Sequence, residues 1–362
     1  MSNRADILLF GTGSFAARIL FDIAATAGTP VKVAVAGRRT ERLGWLRTAA
    51  EARADMFRRP VRVSTLISDI VSAQSAAEAI AEVSPRVVVQ AASAQGGAVI
   101  AARNNAWAQL VAEGGLSATA VFQALLSARA AQGLAQSGIS AFFVNCCYAD
   151  VTNSILAALG LPVTTGIGNV SILAHAFGGL IGPGEGRLKL LAHYQTIGAF
   201  RMPPAERSGP MPRVWLDGKE IDDVASRFAA VQLTPEPVID ISGASGVPML
   251  LAMASGAAWA GHAPGPLGLP GGYPVRLDQD GLKLDLPPGL SREEAVAWNA
   301  SFEEKNGLVV EADGRARYTG KLAARLRVLS PDLARGFNVK DLDQVFAAMS
   351  DLRARLACAP AA

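Results

Sequence analysis

A glycine-rich turn near the N-terminus has the residue types and the spacing that bind a pyrophosphate. It reads Gly11-Thr-Gly13-Ser-Phe-Ala16 and follows an apolar run at residues 7–10. Gly11 permits a tight turn, Gly13 lets a pyrophosphate approach the backbone, and Ala16 allows a helix to pack closely on a strand. The first amides of that helix would face the phosphates. The pattern predicts a dinucleotide site formed by Gly11, Thr12, Gly13, Ser14, Phe15 and Ala16.

The end of the next predicted strand, residues 31–36, indicates which dinucleotide binds. Gly37, Arg38 and Arg39 follow that strand, at the place where Asp or Glu would bind the ribose 2′-hydroxyl of NAD. Arginine presents a planar fork of donors that suits a phosphate monoester. We therefore expect NADP (NADPH) as the cofactor, bound by all three residues. The alternative is that both arginines are solvated residues at the start of a helix.

Two further residues have the chemistry that a hydride transfer needs. Reduction of a carbonyl or imine requires a proton donor, and histidine titrates closest to neutral pH. We expect this role for His193; the alternative is a neutral histidine of the core. Asn145 ends a predicted strand at residues 140–144 and would polarise a carbonyl or hold the nicotinamide, unless it only caps the strand. Ala91, directly after the predicted strand 86–90, should border the cofactor.

The elements that position these residues alternate between strands and helices. Apolar runs predict strands at residues 7–10, 31–36, 61–65, 86–90, 140–144 and 163–167. The fold class is therefore α/β, a doubly wound parallel Rossmann sheet, with Gly96-Gly97 in a loop beside the cofactor. From residue 170 the pattern changes to helices, short strands and hairpins at Asp217-Gly218 and Asp313-Gly314. We expect an NADP-binding domain at 1–169, an α+β substrate domain at 170–305, and an extension at 306–362 packed on the second domain.

Composition limits the class of protein. The chain has 362 residues, of which half are hydrophobic and 18% are charged, so global disorder is excluded and a large core is expected. The net charge of +3 is small and no basic tract occurs, which gives no reason to expect nucleic acid or a membrane as partner. Three cysteines give no disulfide framework, no zinc motif occurs, and we expect no metal and a cytoplasmic protein.

The order of these features resembles the lactate/malate dehydrogenase superfamily over roughly residues 5 to 305. The resemblance is carried by Phe142-Phe-Val-Asn145, Leu190-Leu-Ala-His193, Pro210-Met-Pro-Arg-Val-Trp215 and Gly271-Gly-Tyr-Pro-Val275. It implies a second, α+β domain of that family's type, a catalytic role for His193, and a nicotinamide contact for Asn145. It also makes Arg103, shortly after Gly96-Gly97, a counterpart of the family's mobile-loop arginine. Relatives are commonly dimers or tetramers, so a homo-oligomer (dimer) is expected by analogy.

The sequence departs from that family where the substrate should bind. The family has an Asp that orients the histidine and, three residues later, an Arg that binds the substrate carboxylate. Residues 171–177 contain neither; the nearest polar groups are Ser171 and His175, which we take as substrate-binding candidates. Without the carboxylate, His193 would have no ion pair, and without the arginine a 2-hydroxy acid would lose its anchor. An ordinary lactate or malate dehydrogenase is not expected.

The function predicted from the sequence is an NADPH-dependent oxidoreductase that transfers a hydride to a carbonyl or imine of a small polar metabolite. Two alternatives stay open: an opine-type imine reductase, and a non-catalytic NADP-binding sensor protein. A short-chain dehydrogenase would need Tyr-x-x-x-Lys, which does not occur. An NAD-dependent glycosidase would need a metal-binding Cys and His pair. The candidates are Cys146, Cys147 and His193, but the chain is short for that class.

Overall fold

The computed structural model describes residues 4–95, 105–182, 188–234 and 238–361. Its first domain is built on a six-stranded sheet in the order β3-β2-β1-β4-β5-β6, with every paired strand parallel. The strands are β1 Ile7–Phe10, β2 Val31–Gly37, β3 Val61–Ile67, β4 Val87–Gln90, β5 Phe142–Asn145 and β6 Thr165–Gly166.

This sheet confirms the predicted doubly wound Rossmann topology. Strands β2 and β3 extend the sheet on one side of β1, and β4 to β6 extend it on the other. Strands β1 and β4 pair directly, Ile7 with Val87 and Phe10 with Gln90. Every residue of β1 and β4 is buried, because helices cover both faces of the sheet. Such a reversal of strand order leaves a crevice at the carboxyl ends of the strands, and ligands bind there in this class of fold.

Helices connect the strands of the first domain. They are α1 Ser14–Thr26, α2 Thr40–Met56, α3 Ala73–Val83, α4 Ala106–Gly114, α5 Ala120–Ser137 and α6 Ala149–Ala158. The sequence did not lead us to expect α4. Its start is capped by the Asn105 side chain, which accepts a hydrogen bond from the Ala108 amide at 2.8 Å.

The second domain combines helices with two antiparallel three-stranded sheets, β7-β8-β9 and β10-β11-β12. Its strands are β7 Leu188–Leu191, β8 Arg213–Leu216, β9 Lys219–Glu220, β10 Trp259–Pro264, β11 Gly272–Asp278 and β12 Gly281–Leu284. Its helices are α7 Val170–Ile181, α8 Tyr194–Ile197, α9 Val224–Arg227, α10 Ile239–Ser245, α11 Val247–Ser255, α12 Arg292–Ala300 and α13 Glu303–Asn306.

Residues with positive φ form a turn and end a helix in this domain. Asp217 and Gly218 both have positive φ, 49° and 80°, as the predicted type I′ turn between β8 and β9 requires. Helix α11 ends at Ser255. Gly256 takes a left-handed conformation with φ of 77°, which stops the helix, and Trp259 begins strand β10.

The C-terminal extension packs mainly where we did not expect it. It comprises β13 Leu308–Val310, β14 Arg315–Tyr318, α14 Gly320–Leu329, α15 Pro331–Ala334, β15 Phe337–Asn338 and α16 Leu342–Ala357. Leu322 and Met349 share a buried cluster with Trp107 and Phe122, which belong to α4 and α5 of the first domain. The expected packing on the second domain was therefore wrong for this apolar surface, because its partner is the pair of helices that follows β4.

Candidate functional site

A cleft of about 590 Å³ opens at the carboxyl ends of β1 to β4. Its lining includes most of the predicted cofactor residues and several residues that the sequence analysis did not single out. The predicted ones are Gly11, Thr12, Gly13, Ser14, Phe15, Gly37, Arg38 and Ala91. The others include Ser68, Asp69, Ile70, Val71, Ser93, Gln95, Leu125, Leu126 and Phe346. We call this space the cofactor cleft.

The glycine turn fits a pyrophosphate. Gly11 has φ of 123°, and a Cβ there would lie 3.0 Å from the backbone carbonyl carbon of Ala91, so a side chain would be strained and crowded. A Cβ on Gly13 would meet no described atom within 4 Å, which leaves room beside the backbone. Among the described residues, no side chain caps α1 and no acid occupies its first turn. The first amides of α1 are thus available to an anion, while Ala16 is buried against the sheet.

The end of β2 is crowded by the glycine turn. A Cβ on Gly37 would lie 2.6 Å from Cγ2 of Thr12, so a larger residue there would require the Thr12 side chain to move. Arg38 lines the cleft, whereas Arg39 is exposed at the start of α2 and is not part of the lining. A third arginine, Arg42, is committed to the turn itself, because its Nε donates to the Thr12 carbonyl at 3.0 Å.

The C-terminal extension contributes to the cofactor cleft. Phe346 of α16 lines the cleft and packs edge-on against Phe122, with ring centroids 5.4 Å apart. Two turns later, the Arg353 guanidinium lies 4.2 Å from the centre of the same Phe122 ring and donates to Gln95 Oε1 at 3.2 Å. The sequence showed this helix only as an apolar stripe, a pattern that core and cleft residues share.

Asn145 is not positioned to contact a ligand. Its side chain is fully buried, and its Nδ2 donates to Asn153 Oδ1 at 2.9 Å and to the Cys147 carbonyl at 3.3 Å. Its Oδ1 accepts from the Cys147 amide and from Ser127 Oγ. With these groups occupied, Asn145 holds the turn between β5 and α6 in shape. This geometry replaces the polarising and cofactor-binding roles expected for Asn145.

His193 has the carboxylate partner that the sequence appeared to lack. Its Nε2 lies 2.8 Å from Oε1 of Glu303, and its ring stacks on Phe302. Its Nδ1 accepts the amide of Gln195 at 3.1 Å, so the proton of the neutral ring lies on Nε2 and is donated to Glu303. The expectation that His193 has no ion-pair partner was wrong, because Glu303 comes from a helix 110 residues later in the chain.

Both ring nitrogens of His193 are therefore engaged, and the ring is fully buried. In this arrangement His193 cannot reach a substrate directly, as we had expected it to. The outer member of the pair is Glu303, whose side chain is 12% exposed. The two residues can act as a unit in which Glu303 exchanges the proton and His193 supports it.

A second carboxylate, Asp150, belongs to the same region. It is fully buried in the first turn of α6, five residues after the end of β5. Burial raises its pKa from 3.8 to about 6, while the charge of His193 opposes this rise and that of Glu303 adds to it. We call Asp150, His193 and Glu303 the acid cluster. Cys147, three residues before Asp150, contacts the wall of the cofactor cleft, since its Sγ lies 3.3 Å from the carbonyl of Ala92.

Ser171 and His175 do not join the acid cluster. Ser171 is buried, and its Oγ donates to the backbone carbonyl of His262. His175 lines a separate cavity of about 460 Å³ between α7 and β10, together with His262, Lys189 and Asp285. Burial lowers the pKa of His262 to about 3, so its ring is neutral. The structure thus gives Ser171 a structural role in place of the expected substrate contact.

Two predicted features lie outside the described residues: Gly96-Gly97 and Arg103. Within the described ranges, no helix is long and apolar enough to cross a membrane. Across the same residues, no three His, Cys, Asp or Glu side chains form a group suited to a metal ion.

Lactate and malate dehydrogenases have this fold. Lactate dehydrogenase from Cryptosporidium parvum, solved with lactic acid and β-nicotinamide adenine dinucleotide, is 15% identical, with a TM-score of 0.50 over 99% of this chain and 100% of that chain. Lactate dehydrogenase from Eimeria maxima, solved with NADH and oxamate, is 12% identical, with a TM-score of 0.51 over 83% of this chain and 94% of that chain. Malate dehydrogenase from Salinibacter ruber is 12% identical, with a TM-score of 0.50 over 83% of this chain and 95% of that chain.

These likenesses confirm the lactate/malate dehydrogenase-like fold that the sequence resemblance implied. At 12% to 15% identity they establish the fold alone. No protein-family model and no curated protein sequence matches the chain.

Proposed function

We propose that this protein is an NADPH-dependent oxidoreductase that transfers a hydride to a carbonyl or imine carbon of a small polar metabolite. One observation carries the proposal: the uncapped start of α1 faces a cleft at the reversal point of the sheet, beside a glycine at position 13 with open space around it. The dinucleotides named for the Cryptosporidium and Eimeria structures support a nicotinamide cofactor.

The preference for NADPH over NADH rests on the end of β2. Position 37 is a glycine crowded by the Thr12 side chain, so no carboxylate occupies the place that would bind a ribose 2′-hydroxyl. Arg38 lines the cleft next to that position and offers a fork of donors to a 2′-phosphate. Asp69 lines the same cleft, and its Oδ1 accepts the Val71 amide at 3.2 Å, which engages it locally.

The bound cofactor would supply the hydride, and the acid cluster would supply the proton. Glu303 is the partly exposed member of that cluster and is held by the hydrogen bond from His193 Nε2. A proton on Glu303 reaches a substrate oxygen or nitrogen, and the hydrogen bond from His193 Nε2 stabilises the carboxylate that remains. This route replaces the direct role expected for His193.

A second candidate function is favoured by the same buried ring. Because both nitrogens of His193 are bonded within the protein, a nucleotide-binding protein without turnover, a sensor of NADPH, also agrees with the site. The small-molecule substrate, the homo-dimer and the cytoplasmic location remain predictions, as do the domain limits.

Fluorescence titration of the protein with NADPH and with NADH tests the proposal. We expect NADPH to bind more tightly than NADH. Arg38→Ala should lower the affinity for NADPH roughly tenfold or more and change the affinity for NADH little. Arg39→Ala is the matched control, because Arg39 lies next in the chain but outside the cleft lining. Equal affinities for the two nucleotides would contradict the NADPH preference. If neither nucleotide bound, the proposed function would be refuted.

A further inference from the structure

Asp150 is a fully buried carboxylate in the first turn of α6. Both carboxylate oxygens are buried and lack a hydrogen-bond partner among the described residues. A carboxylate in such a place is costly, and folded proteins normally give it a donor or a counter-ion. Its pKa of about 6 still leaves it mostly ionised at neutral pH. Within the described residues, His193 and the backbone at the start of α6 oppose this charge, but neither oxygen is held by a hydrogen bond from a side chain.

The surroundings of Asp150 add negative charge and further unpartnered groups. The charged side chains that act on it are His193 and Glu303. No lysine or arginine of the described ranges forms an ion pair with Asp150 or Glu303. Two neighbours in sequence have buried polar atoms that also lack partners among these residues, Thr152 Oγ1 near Asp150 and Asn306 Nδ2 near Glu303. Buried polar atoms without partners are uncommon in folded proteins, and of these three groups only the carboxylate of Asp150 carries a charge.

The described residues offer no cation to a carboxylate substrate at this place. Two basic residues near His193 in the chain are already paired: Lys189 with Asp285 at 2.9 Å and Arg213 with Glu220 at 2.6 Å. A 2-keto acid entering the acid cluster would place its own negative charge beside two carboxylates, which costs energy in a buried site. A positively charged substrate would instead satisfy Asp150.

We infer that the substrate is a small cation, the protonated imine of an amine, and that Asp150 holds its nitrogen. This inference rests on the proposed function and narrows it from carbonyl or imine to imine. Asp150 lies at the same edge of the sheet as the glycine turn, since it follows the carboxyl end of β5, which pairs with β4. That edge is where substrate and nicotinamide must meet in this class of fold.

The reaction balances without another reagent. The cofactor gives a hydride to the imine carbon, the π pair of the C=N bond becomes the nitrogen lone pair, and NADPH is converted to NADP⁺. If the substrate enters as the neutral imine, Glu303 supplies the proton that forms the cation, and His193 supports the carboxylate it leaves. In the reverse direction Asp150 holds the ammonium form of the amine.

Binding of two probe compounds to the protein saturated with NADP⁺ tests this inference. Piperidine is an ammonium ion at neutral pH and represents the amine, whereas oxamate carries a carboxylate and represents a keto acid. Calorimetric titration should show binding of piperidine and none of oxamate. Asp150→Asn should lower the affinity for piperidine by at least about tenfold, because the amide keeps the shape of the side chain and loses its charge. Turnover should show the same preference: the protein should oxidise NADPH when 1-piperideine is the substrate and should not do so with pyruvate.

Asp285→Asn is the matched control, since Asp285 is a carboxylate of the second domain that lines the separate cavity. Loss of piperidine binding in that variant, and not in Asp150→Asn, would place the ligand in that cavity and overturn the inference. Oxamate binding as tight as that of piperidine, or binding of neither, would overturn it as well, and this comparison needs no variant to fold. The NADPH titration separates the two claims: tight NADPH binding with reduction of pyruvate alone refutes the cationic substrate and keeps the proposed function.

Discussion

The cofactor cleft and the acid cluster are assembled in different ways. The cleft is formed by backbone positions close in sequence, Gly11 to Phe15, and by strand ends that a parallel sheet must bring together. The acid cluster brings together side chains from α6, from the start of α8 and from α13. The first depends on local backbone geometry, and the second on how two domains and their late helices pack.

The two regions also differ in charge. The cleft offers the positive end of α1 and the Arg38 guanidinium to an anion, at little cost because water reaches both. The acid cluster holds two carboxylates that are largely or fully buried, and the oxygens of one of them, Asp150, have no hydrogen-bond partner among the described residues. Carboxylates in such a position reduce stability unless a ligand compensates, which is a feature of functional sites.

The largest effect that would test this contrast is expected from Glu303→Gln. The amide keeps the size of the side chain but cannot exchange the proton, so turnover of whichever probe is reduced should fall by about 10² or more. The affinity for NADPH should stay unchanged, because Glu303 does not line the cofactor cleft. Steady-state rates and the nucleotide titration measure the two quantities separately.

The double variant with His193→Gln shows whether the pair acts as a unit. We expect the two losses in rate to be far from additive, because each substitution disables the same proton route. Additive losses would mean that His193 and Glu303 contribute independently. Full activity in Glu303→Gln would remove the acid cluster from the reaction.

The same contrast explains which parts were predictable from the sequence. The glycine turn, the strand ends and the Asp217-Gly218 turn follow from residues that are neighbours in the chain, and the structure has them where the pattern put them. Glu303 gave no local signal, because a Glu early in a short helix is ordinary, and its partner is 110 residues away. Phe346 gave no distinct signal either, because a residue that faces a cleft and one that faces the core have the same helical spacing.

A second prediction concerns the stability of Asp150→Asn. In the folded protein the pKa of Asp150 is raised to about 6 from 3.8, so its contribution to stability is present below about pH 4 and is lost as the pH rises through 6. The wild-type protein without ligand should therefore lose up to about 3 kcal/mol of unfolding free energy across this range relative to the variant. Urea unfolding at a series of pH values measures the difference.

The groups that face Asp150 are His193, Glu303, Tyr148 and Tyr273. All four are present in both proteins, so their own titrations largely cancel in the difference between wild type and variant. At neutral pH the variant should be the more stable protein and the less active one. A variant that is less stable than wild type at neutral pH would show that Asp150 has a structural partner, and its unpartnered charge would no longer argue for a ligand.

The smallest effect is expected where the C-terminal extension meets the cofactor cleft. Phe346→Ala removes a ring that lines the cleft, and we expect NADPH to bind about fivefold more weakly, a loss of about 1 kcal/mol. Met349→Ala is the control on the same helix: it empties a fully buried position outside the lining and should lower stability by about 2 kcal/mol or more without changing NADPH affinity. Equal weakening of NADPH by both variants would mean that α16 acts only by supporting α5, and the cleft would then belong to the first domain alone.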